Sequence, residues 1–133
     1  MARRRSSIGF LGYFGRSSDL KQLDEALRAV DLHPRVVPEA VKLTVVNLLK
    51  DHAVGAEPAP QAYPAAAAVL GYCMLGPELF ARANGEDALE RAERRIEAAL
   101  ETGEGLDARI VLLAIHARVI QPAVVERFGL ESG

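Results

Sequence analysis

Three histidines, a single cysteine and a lysine on an otherwise apolar stripe are the residues of this chain whose types invite chemistry. A metal site needs several His, Cys or carboxylate ligands converging at helical or turn spacing. His33, His52 and His116 form no His-x-x-x-His or Glu-x-x-His pair, and Cys73 has no second cysteine. Asp31-x-His33 is the one close pair, and Pro34 beside it marks a helix end. His33 is better placed to meet a helix dipole than a metal ion. Neither a metal nor a cofactor is expected.

A ligand-binding reading has four candidates. Arg109 and His116 fall on one seam of a helix over residues 106–120. With Tyr72 and Cys73 of an apolar helix over 62–76 they could face an anionic ligand in a pocket between the two helices. The preferred reading is plainer: the seam is the amphipathic rim where the helix meets water. Lys42 could be a desolvated nucleophile, but a lysine that lays its stem on the core and carries its ammonium to water is the commoner outcome. Cys73 lacks the basic neighbour or helix N-terminus that makes a thiol reactive, so it reads as buried and inert. Glu86, Glu90, Glu93, Glu97 and Glu101 alternate with arginines and read as a solvated face, not as catalytic carboxylates. Gly9-x-x-Gly12-x-x-Gly15 lacks the Lys-Ser/Thr of a phosphate loop, and no Gly-x-Ser-x-Gly is present. Catalytic residues are therefore not assigned.

The elements that would position these groups follow from patterning. Residues 62–75 carry no charge in a chain that is 26% charged. The run is Ala-rich, which favours helix over strand, and shorter than the roughly 20 residues a membrane-spanning helix needs. A helix apolar all round must be surrounded by other elements. It should end at Gly76, with a short helix over 77–83 and a left-handed stop at Asn84-Gly85.

Ser18 should cap a first helix over 19–31, with Leu20, Leu23, Leu27 and Val30 inward. Pro38 should start a second helix, to Ala53, with Val41, Val45, Leu48 and Leu49 inward. The helix over 86–102 should bury Leu89, Ala92, Ile96, Ala99 and Leu100, with Glu90 and Arg94 paired outside. The helix over 106–120 has two apolar faces. Leu106, Ile110, Leu113, Ala117 and Ile120 form one, and Ala108, Val111, Leu112, Ile115 and Val119 the other. Leu113 and Ile115 should both be largely buried. Pro122 should open a last helix closed by Gly129. The fold expected is all-α, a compact single domain of five to seven helices of unequal length. Its third and sixth helices, over 62–76 and 106–120, should lie at the centre.

Residues 1–16 form a separate arm and 17–133 the helical domain. Arg3, Arg4, Arg5 and Arg16 give the arm +4, against twelve basic and eighteen acidic residues, or −6, in the remainder. An acidic body is a poor nucleic-acid platform. The arm also carries Phe10, Tyr13 and Phe14 among closely spaced glycines. Phe10 and Phe14 should dock on the body or on a second subunit. Contact with nucleic acid or a membrane through the arginines and aromatics is the weaker alternative. Ile8–Phe14 is broken by Gly9 and Gly12 and lacks a cleavage site, so it does not read as a secretory leader. A cytoplasmic location is expected.

Together these features suggest a non-enzymatic helical interaction module that self-associates as a homodimer. The rival is a small-ligand-binding or regulatory protein with its pocket between the third and sixth helices.

Overall fold

The uncharged run becomes a helix enclosed by protein. The computed structural model describes residues 18–53 and 57–130, in six helices. These are α1 (18–29), α2 (Glu39–Ala53), α3 (Ala62–Asn84), α4 (Glu86–Thr102), α5 (Leu106–His116) and α6 (Pro122–Phe128), with a 3-10 turn at Pro34–Val36. No strand occurs among the described residues. The arm, with Arg3, Arg4, Arg5, Phe10, Tyr13 and Phe14, lies outside them.

Val69, Leu70, Gly71, Tyr72 and Cys73 are five consecutive buried positions of α3, more than one full turn, so no face there meets water. α2, α4, α5 and α6 all pack on α3, and α5 also packs on α2 and α4. The central placement of the 62–76 and 106–120 segments is thus observed. By length and composition α3 could cross a bilayer, but Gly76 interrupts it at φ 88°, ψ 165°. That conformation is open essentially to glycine alone. The break expected at Gly76–Pro77 is present, and the short second segment folds Phe80 back against Tyr72.

Ion pairs and one close approach set the packing of α1. The Tyr63 hydroxyl donates to Asp19 at one end of α1 (3.0 Å), and Val30 lies against Gly71 near the other. α1 and α3 therefore run in the same direction. Lys42 pairs with Asp24 at 3.2 Å and Lys50 with Asp19 at 2.8 Å, so α2 runs antiparallel to α1.

Several boundaries and faces differ from the sequence reading. Ser18 is already helical, so the start of α1 and its cap fall outside the described residues. α1 closes at a left-handed Asp31 (φ 69°), with Leu32 N–H donating to the Leu27 carbonyl, three residues before Pro34. α5 ends at His116, not at 120, because Arg118 turns left-handed (φ 61°) and Val119 N–H bonds back to the Ala114 carbonyl. Leu100, expected inside, is 40% exposed; the buried stripe of α4 is Ala92, Ile96 and Ala99, and Leu100 lies one position beyond it. On α5, Ile110, Val111, Ala114 and Ile115 are buried and Leu113 is half-buried, whereas Leu112 is 51% exposed.

Candidate functional site

Pro77 creates the joint on which the candidate region is built. Proline has no N–H to give to the carbonyl four residues earlier, which here belongs to Cys73. Gln121 supplies the missing donor at 2.8 Å from the loop between α5 and α6. Gln121 is also the N-cap of α6, whose first residue is Pro122. One bond therefore fills a gap in α3 and fixes where α6 begins. Val124 then enters the core, and Phe128 meets the edge of Tyr72 at a centroid distance of 6.3 Å.

A polar network closes the other side of α6. The Tyr72 hydroxyl donates to Glu93 Oε2 at 2.6 Å. Arg127 of α6 reaches the same carboxylate, Nε to Oε2 at 2.6 Å and Nη2 to Oε1 at 3.0 Å. Glu93, read from sequence as one of a solvated row, is a partly covered link between α3, α4 and α6. Nothing in its local sequence marks it: its neighbours in the row are exposed, and Tyr72 is 21 positions away. Asp19 was missed in the same way. It is buried and bonds both Tyr63 and Lys50.

The four ligand-binding candidates do not share a pocket. Tyr72 and Cys73 are wholly buried, whereas Arg109 and His116 are exposed at opposite ends of α5. Arg109 lines a shallow cleft with Leu48, Asp51, His52, Gly105 and Leu106. Burial, and then the bond to Glu93, raise the Tyr72 hydroxyl pKa well above its ordinary value. Burial alone pushes the Cys73 thiol up to about 12, the reverse of what a reactive thiol needs. Lys42 is buried rather than solvated, with its ammonium paired to Asp24 and 3.9 Å from Glu39. His33 caps the 3-10 turn, its Nδ1 accepting from Arg35 N–H at 3.1 Å, rather than closing α1. Among the described residues no group of His, Cys, Asp and Glu is arranged to hold a metal ion.

The turn from α5 into α6 leaves a groove of about 510 Å³. Ile115, Ile120, Pro122 and Val125 give it apolar walls, and Arg118 and Glu126 stand on it as charged groups. Arg118 and Glu126 are exposed. Leu112, exposed on α5, lies one helical turn before Ile115.

Compared with known proteins, the chain matches no family model, no curated protein and no solved structure.

Proposed function

We propose that this chain is a non-enzymatic helical interaction module that works as a homodimer. The observation that carries this reading is the apolar groove between α5 and α6. Leu112 is 51% exposed one helical turn before Ile115 of the groove, and Arg118 and Glu126 stand on the groove as charged groups. An exposed apolar surface rimmed by polar groups is the usual mark of a binding surface. Binding is favoured over catalysis because the covered and partly covered carboxylates are already engaged by neighbouring side chains. Tyr72 and Arg127 hold Glu93, Tyr63 and Lys50 hold Asp19, and Arg95 makes a two-pronged bond to Asp107 at 2.7 and 3.0 Å.

The test is the mass of the full chain in solution by sedimentation equilibrium and native mass spectrometry. The parent should be a dimer at micromolar concentration, and Leu112→Asp should shift it towards monomer with the same helical content. A parent that stays monomeric throughout overturns the reading.

A further inference from the structure

We propose that the groove between the end of α5 and α6 seats a second copy of this chain, in a two-fold pairing that sets Arg118 of each copy against Glu126 of the other. The proposal rests on the homodimer reading and adds the surface and the charge pairing that make it.

The charges of the groove suit it to a copy of itself. A two-fold interface lays one patch against the identical patch, so residue i meets j while j meets i. A patch of one sign would repel itself. This patch has one cation, Arg118, after α5 and one anion, Glu126, on α6. Neither takes part in an ion pair among the described residues. Turned through a two-fold axis, each meets its opposite, while the apolar walls cover one another.

The backbone of Arg118 is a second, independent sign. Other helices close in the left-handed region with Gly103, Gly129 and Asp31. Glycine has no Cβ to clash there, and aspartate tolerates the region through its short polar side chain. Arginine has neither device. The chain holds a long cationic side chain in a conformation better suited to glycine, and it does so beside an apolar groove. A backbone outlier of this kind is a reason to look for function at that residue. Its guanidinium, rigid and forked, suits a carboxylate across an interface.

Sedimentation equilibrium of the full chain tests the pairing, with Arg118→Glu, Glu126→Arg and the double variant that exchanges the two. Each single change sets like charges opposite one another at two places in the dimer. Each should weaken association by about tenfold or more. The exchanged double variant should restore the dimer. Glu126 stands within a regular helix and carries no backbone strain, so its variant remains informative even if residue 118 tolerates change poorly. Circular dichroism should show unchanged helical content in all four proteins. A dimeric parent whose mass neither single variant alters overturns this surface and leaves the homodimer reading standing. A double variant no better associated than the singles overturns the pairing. A monomeric parent overturns both readings together.

Discussion

The hydroxyl of Tyr72, a side chain with no exposed surface, donates at 2.6 Å to Glu93, whose carboxylate also receives Arg127. A surface arginine is thus connected to the centre of the fold through one carboxylate. Tyr72→Phe keeps the packing and removes one bond to a charged acceptor. It should cost about 1–2 kcal/mol. Glu93→Leu leaves the buried hydroxyl unpaired and should cost about 1–3 kcal/mol. Urea denaturation of the two variants measures both, and a neutral Glu93→Leu would show that the network adds nothing.

Tyr63 should make the fold sensitive to alkali. Its pKa is raised from 10.0 to about 12, first by burial and then by the bond to Asp19. The folded state therefore favours the neutral phenol. That contribution is complete below pH 10 and is lost as pH rises from about 10 to 12. Melting temperature should fall across that window, and Tyr63→Phe should reduce the fall. An identical decline in the variant would assign the effect to other groups.

Gly71 faces Val30 so closely that an added Cβ would sit 2.9 Å from Val30 Cγ2. Valine is stiff at χ1 and cannot easily withdraw. Gly71→Ala should therefore destabilise the protein, by about 1 kcal/mol after the gain in helix propensity is set against overpacking of 1–3 kcal/mol. With Val30→Ala added the clash disappears, so the same glycine change should become neutral or stabilising in that background. Additive effects in a double-mutant cycle would refute the contact.

Cys73 should react slowly with a disulfide reagent in native protein and rapidly in denaturant, since its thiol is buried and its pKa is pushed up to about 12. Native labelling at the denatured rate would mean that the middle of α3 opens readily.

Arg118→Gly should act in opposite directions on stability and assembly. Relief of the left-handed residue should stabilise the folded chain by about 1 kcal/mol, as read from urea melts at concentrations below dimerisation. Loss of the cation should weaken association, as read by sedimentation. A variant that is more stable and equally dimeric would separate the strain from the interface.

The sequence carried the helices whose ends have a chemical mark. Pro122 and Gly129 bracket α6, Gly103 closes α4, and Gly76–Pro77 breaks α3 where expected. The end of α5 was missed because arginine carries no signal for a left-handed turn, and the apolar residues Val119 and Ile120 prolonged the helical pattern beyond it. Glu93 and Asp19 were hidden for a different reason. Their partners come from other helices, and a periodic reading registers only neighbours on the same one. The arm proposed for docking, from Arg3 to Phe14, falls outside the described residues.

The bond from Gln121 to the Cys73 carbonyl has a consequence for the order in which the chain is made. Synthesis delivers α3, with its gap at Pro77, well before Gln121, because α4 and α5 come between them. Until Gln121 emerges, the Cys73 carbonyl lacks its native donor. A nascent chain halted within α5 would have most of its core residues and still lack the element that seals them. The contact is distant in sequence, and such contacts form late and slowly. Completion of the native core should therefore coincide with the arrival of α6, and chains cut before Gln121 should be open to proteases at the Gly76 break.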